Sequence, residues 1–170
     1  FVCDLCKCSF AGVHRLIALL LKEPGLKSFS TTTGFFCTET DPLAYTALGV
    51  VYFVHKEAEG TVERWSNKQN AFVQLTPQSG KVVVKGHCEF HWKEKFKVGM
   101  FGVKKGSRKG FVHTKWRLAG KEMHLNDVHL YHDESNLIAA EASASGTLSL
   151  YAKRRQEAFQ WVLDQTLVEE

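Results

Sequence analysis

The sequence predicts an α/β domain in which antiparallel strands are flanked by helices. Two observations carry this: apolar residues recur at helical spacing near both ends of the 170-residue chain, and the middle is a series of short segments rich in β-branched and aromatic residues separated by turn signals. Val13, Leu16, Ile17, Leu20 and Leu21 predict a helix over 13–21, which Pro24-Gly25 stops. The stretch from there to Ser30–Thr33 reads as loop. The continuous apolar run from Leu48 to Val54 predicts a buried strand. Further strands are predicted over 61–65, 71–75, 82–92, 97–103, 111–118 and 123–130, the breaks including Glu59-Gly60, Ser66-Asn67 and Pro77 to Gly80. A last helix is predicted over 148–167, with Leu148, Ala152, Phe159, Val162, Leu163 and Leu167 on one stripe.

A length of 170 residues is one domain's worth of chain. With 44% hydrophobic residues, 24% charged residues and 3 prolines, the composition excludes wholesale disorder. No run approaches the length of apolar sequence a helix needs to cross a bilayer, and the first residues lack the pattern of a secretory leader, so a cytoplasmic protein, peripheral at membranes if it meets them at all, is expected. The formal net charge of +4 is unevenly spread. From Lys81 to Lys121 twelve basic residues face two acids, Glu89 and Glu94, whereas the rest of the chain is acidic on balance. Such a segment is suited to phosphate, polyphosphate or nucleic acid, or serves simply as a solvated strand face.

Cys3, Cys6 and Cys8 resemble half of a zinc or iron–sulfur site, but a tetrahedral site needs a fourth ligand, and Cys37, Cys88, His87 and His91 lie far along the chain. Reduced thiols are the expected state.

Two local patterns point to a site. Alternation along 123–130 puts Met123, Leu125, Asp127 and His129 on one face and Asn126, Val128 and Leu130 on the other. The first face begins apolar and ends polar, as in a strand running out of a core into a cleft, and buried Asp127 and His129 need partners or a task. A structural pair ordering the loop from Tyr131 to Asn136 satisfies the same pattern. Arg155 falls on the stripe of the last helix between Ala152 and Phe159, where a permanently charged fork requires an anion or an opening to solvent; snorkelling is the alternative.

The runs Ser107-Arg108-Lys109-Gly110-Phe111-Val112-His113-Thr114-Lys115-Trp116 and Val128-His129-Leu130-Tyr131-His132-Asp133-Glu134-Ser135-Asn136-Leu137 resemble the middle of an inositol polyphosphate 5-phosphatase of the type I branch. Tyr45-Thr46-Ala47-Leu48-Gly49 and the helix segment from Arg155 to Asp164 support the resemblance, which runs in order from about residue 45 to 165. It implies part of a DNase I-like four-layered sandwich and Mg²⁺-dependent attack of water on a phosphate monoester. It further implies that His129, with Asp127 beside it, is catalytic, His129 as an imidazolium donor to phosphoryl oxygens. Arg108, Lys109, His113, Lys115, Asn136 and Arg155 are then expected to bind an inositol polyphosphate or a phosphoinositide head group.

Asp127 stands where the family usually has asparagine, and His113 and Lys115 where the type I branch has arginines, which weakens bidentate phosphate binding. The sequence contains neither the family's Gly-Asp-x-Asn segment nor its Ser-Asp-His segment. The resemblance therefore implies a central piece of the domain: Mg²⁺ belongs to the complete domain, its ligands are absent from these residues, and the chain alone is expected to be inactive and to self-associate or pair with a complementing segment. A non-catalytic phosphate-binding scaffold and a nuclease relative are the other readings, nucleic acid being the less expected ligand.

Overall fold

A computed structural model describes residues 10–37, 41, 44, 46, 48–75, 89–102, 107–132, 140–141, 144–146 and 148–167. Helix α1 (Phe10–Leu20) is followed by a 3₁₀ turn at Pro24–Leu26 and then by β1 (Phe29–Phe36), β2 (Gly49–His55), β3 (Val62–Ser66), β4 (Ala71–Gln74), β5 (Trp92–Lys95), β6 (Gly110–Leu118), β7 (Lys121–His129) and helix α2 (Leu150–Thr166). The chain is thus a mixed α/β fold with antiparallel sheets flanked by helices. No helix among the described residues is long and apolar enough to cross a membrane.

Strands β1 and β2 form one antiparallel sheet, with Thr33 opposite Tyr52 and Phe36 opposite Gly49. The other five strands form a second sheet around β6. β7 lies along the whole of β6, from Gly110 opposite His129 to Leu118 opposite Lys121, while β5 and β3 share the other edge of β6 and β4 pairs with β3. Gly110 is dictated by this crowding, since a Cβ there would strike the Glu94 carbonyl oxygen on β5.

The period-2 alternation of β6 gives it two buried faces. Val112 packs with Phe35, Leu48 and Val50, and Trp116 with Val54, Val62 and Leu75, so this face of β6 meets the β1–β2 sheet. A hydroxyl joint reinforces that contact: Thr114 Oγ1 accepts from Trp116 Nε1 at 2.9 Å and lies 2.7 Å from the Tyr52 hydroxyl. On the opposite face Phe111 packs with Phe96, Tyr131 and the α2 residues Ala158 and Val162. Ser149 caps α2 by accepting from the Ala152 N–H at 3.0 Å.

Several expectations are corrected. Residues 29–33, expected as loop, belong to strand β1: the Thr-rich run is held by its ladder to β2, and tertiary pairing overrides the turn-like composition. No strand forms at 97–102, where Lys97 leads into a 3₁₀ turn at Met100–Gly102 with Phe101 at φ 53, placing that ring against Phe96 and Tyr131; Val103 lies outside the described residues. Of the strand expected over 82–92, residues 82–88 lie outside the described residues, Glu89 and Phe90 are in a turn, and the ladder begins at the end, at His91 and Trp92. The buried stripe of α2 is Ala158, Val162 and Thr166, whereas Leu148, Phe159 and Leu167 are exposed, because packing on Phe111 and Tyr131 selects a different side of the helix. Met123 and Leu125 are each 38% exposed and line an apolar cavity of about 230 Å³ together with Tyr52, Val54 and Trp116, instead of filling a core.

Candidate functional site: a lysine–histidine pair at the end of the central hairpin

Tight pairing of β6 with β7 sets His129 directly opposite Gly110, whose missing side chain lets β5 close in on the other edge of β6. Lys109, the residue before β6, is fixed through its backbone: its carbonyl accepts from the Phe96 N–H at 3.0 Å and its own N–H donates to Ser107 Oγ at 3.4 Å. Its side chain is buried, the residue being only 8% exposed, and Nζ lies 2.7 Å from His129 Nε2.

The other ring nitrogen, Nδ1, lies 3.3 Å from the Thr46 carbonyl, which can only accept, so both nitrogens of His129 are engaged. Asp127 lies on the same face of β7, buried and opposite Val112. Its charge acts on Tyr52, whose hydroxyl is pushed above the usual tyrosine range first by burial and then by Asp127, against the lowering effect of the Thr114 bond.

The other expected site residues separate into groups. Arg108 is exposed next to Lys109. Arg155 does sit on the buried side of α2, in line with Tyr151 and Ala158, and its Nη1 donates to the Tyr131 carbonyl at 3.2 Å, two residues beyond His129. The structure does not bring His113 and Lys115 to His129, because alternation along β6 turns them to the opposite face. There His113 Nδ1 lies 2.9 Å from Asn126 Oδ1, Asn126 Nδ2 donates to Thr166 Oγ1 at 3.0 Å, and His124 Nδ1 lies 2.9 Å from the Thr166 carbonyl. Burial lowers the His113 pKa, with smaller contributions in the same direction from His124 and Lys115. Lys115 pairs with Glu122 at 3.0 Å beside Trp65 and Phe72. Asn136, Cys3, Cys6 and Cys8 lie outside the described residues.

Sequence reasoning missed three neighbours. Thr46 holds His129 from 83 residues away, and its amide donates to Cys37 Sγ at 3.4 Å, on which Lys93 Nζ also converges at 3.5 Å. Thr46 lay in a run that carried the resemblance, but no spacing rule relates it to His129.

Among the described residues no group of three or more His, Cys, Asp or Glu side chains converges to hold a metal ion. Mg²⁺ requires a near-octahedral oxygen shell, and a lysine nitrogen hydrogen-bonded to an imidazole nitrogen, with one carboxylate on the same strand face, does not fit it.

A buried lysine and a histidine held at both ring nitrogens thus lie at the end of a packed hairpin, in a chain with a strongly basic middle. By comparison with curated proteins the chain is distantly homologous to inositol polyphosphate 5-phosphatases. It is 30% identical over 163 residues to inositol polyphosphate-5-phosphatase A of Rattus norvegicus, covering 94% of this chain and 38% of that protein, and 31% identical to the Canis lupus familiaris protein with the same coverage. A probable type I inositol 1,4,5-trisphosphate 5-phosphatase of Caenorhabditis elegans is 28% identical over 140 residues, covering 81% of this chain and 33% of the relative. The chain thus spans less than two fifths of the length of these relatives. No protein-family model matches, and no solved structure matches.

Proposed function

We propose that this chain carries the phosphate-recognition part of an inositol polyphosphate 5-phosphatase with a DNase I-like four-layered sandwich, the complete domain removing the 5-phosphate with Mg²⁺ held by residues outside those described. The observation that carries the reading is the 2.7 Å contact between Lys109 Nζ and His129 Nε2 in a chain whose homology is to these phosphatases. In this reading Lys109 and Arg108 meet substrate phosphates from the start of β6, Arg155 supplies positive charge from α2, and Asn136 contributes a polar contact. A phosphoryl oxygen arriving at Lys109 replaces Nε2 as the partner of the ammonium. The imidazole, still held at Nδ1 by Thr46, is then free to take or give a proton at Nε2, and Asp127 on the same face stabilises its protonated form. His113 and Lys115 belong to the opposite face and bind phosphate only as a secondary surface.

The strongly basic segment from Lys81 to Lys121 also suits a second reading, a non-catalytic module that binds inositol phosphates or phosphoinositide head groups. One set of measurements separates the two. Calorimetric titration at fixed low salt should show inositol 1,4,5-trisphosphate binding at least about tenfold more tightly than inositol monophosphate, with Lys109→Met weakening the trisphosphate at least about tenfold, the size of a lost charge-assisted hydrogen bond. Equal affinities for the two ligands would overturn both readings. Phosphate release with Mg²⁺ from this region joined to the remaining segments of a relative, abolished by His129→Ala, supports the enzyme; binding with no release from the joined protein supports the module.

A further inference from the structure

Cys37, a thiol just past the end of β1, is anchored by donating its backbone N–H to the Leu48 carbonyl at 2.9 Å. Cys37 is half-buried, and two N–H donors approach its sulfur: Lys93 Nζ, 56 residues along the chain, at 3.5 Å and the Thr46 amide at 3.4 Å. Lys93 Nζ is pinned in place by a second bond, to the Ala44 carbonyl at 3.2 Å. An adjacent ammonium and a backbone N–H both favour the thiolate, which is the nucleophilic form of cysteine.

A separate feature lies at the same place. Thr46 is 0% exposed, yet its hydroxyl oxygen has no hydrogen-bond partner among the described residues. Buried hydroxyls are almost always paired. This one belongs to the residue whose amide meets the sulfur at 3.4 Å, and an oxygen atom added to Cys37 Sγ is the acceptor we assign to it. The same residue holds His129 Nδ1 through its carbonyl.

We propose that Cys37 is a modification site, oxidised by a hydroperoxide to a sulfenic acid whose oxygen is held by Lys93 and Thr46, and that the change is passed to His129 through Thr46. The thiolate sulfur attacks one peroxide oxygen; the S–O bond forms as the O–O bond breaks, sulfur loses two electrons to the peroxide, and the departing hydroxide takes a proton to become water. The sulfenic form is reversible by thiols. The effect on His129 rests on the proposed function; the oxidation does not.

The test treats the reduced full chain with hydrogen peroxide, traps sulfenic acid with dimedone and reads each cysteine by peptide mass spectrometry. Cys37 should label at least tenfold faster than Cys88, and Lys93→Met should slow Cys37 at least tenfold without changing Cys88. Thr46→Val should leave the oxidation rate intact and shorten the time after peroxide removal during which dimedone still labels Cys37. Should Lys93→Met fail to fold, iodoacetamide alkylation of the wild-type chain against pH decides, with Cys37 expected to reach half its maximal rate at lower pH than Cys88. Labelling of Cys37 no faster than Cys88, or indifferent to Lys93→Met in a folded protein, overturns the site. Oxidation should also weaken inositol 1,4,5-trisphosphate binding at least fivefold in the wild type and not in Cys37→Ser. Reduced protein that binds the trisphosphate but is unaffected by peroxide overturns the link to His129, whereas reduced protein that does not bind it at all overturns the proposed function and leaves the labelling result standing.

Discussion

Replacing Thr114 by valine should cost far more than the size of the change suggests. The side chain is 5% exposed, and its oxygen is the shared partner of the Tyr52 hydroxyl and the Trp116 indole N–H, the polar joint where the β1–β2 sheet meets β6. Valine keeps the shape and the packing but strands both groups in an apolar setting, where Tyr52 and Trp116 lie with ring centroids 5.0 Å apart. Each unpaired buried polar group costs about 1–3 kcal/mol. Trp116 is 6% exposed and pays in full, while partly buried Tyr52 recovers some loss through water, so a total of about 3 kcal/mol is expected. That is a large share of the roughly 5–15 kcal/mol that holds a domain together. Urea unfolding followed by tryptophan fluorescence at pH 7 measures it, and a double-mutant cycle isolates the mechanism. Adding Tyr52→Phe to Thr114→Val removes one stranded hydroxyl and should make the double variant about 1 kcal/mol more stable than Thr114→Val alone. A Thr114→Val loss below about 0.5 kcal/mol, or strictly additive effects in the cycle, would refute the shared-oxygen argument.

The lowered pKa of His113 makes stability fall in acid: the fold favours the neutral ring, so its contribution is complete above the ordinary histidine value and is lost as pH falls through that value toward the lowered one. The urea midpoint of the wild type should therefore drop between pH 7 and 5 by more than that of His113→Gln, and parallel profiles would contradict this. The side of α2 that faces the core is tested by two truncations. Val162→Ala, at a position with no exposure, should cost about 2 kcal/mol, whereas Phe159→Ala, 45% exposed, should stay within about 0.5 kcal/mol despite removing the larger side chain; the reverse order in urea denaturation would show that the helix packs on its other side.

Periodicity and turn residues were enough to locate both helices and the strands at 49–55, 62–66, 71–74, 110–118 and 121–129, because there the local pattern and the final burial agree. The alternation that placed Asp127 and His129 on one face of β7 is a property of any extended chain and needed no partner to be read. The charge of the middle segment and the motif around Lys109 and His129 were likewise legible, since both are written in consecutive residues. Tertiary structure alone decided the rest. Residues 29–36 became a strand only through β2, Phe101 left the strand pattern to reach Phe96 and Tyr131, and α2 turned Ala158 and Val162 inward because Phe111 and Tyr131 were there to receive them. Lys109 at Nε2 and Thr46 at Nδ1 hold the His129 ring, and no spacing in the chain encodes a contact made across 83 residues. The physical reason is common to all of these. A side chain's periodicity says which way it points from its own element, but its partner, its burial and its protonation depend on which other element the chain brings to meet it.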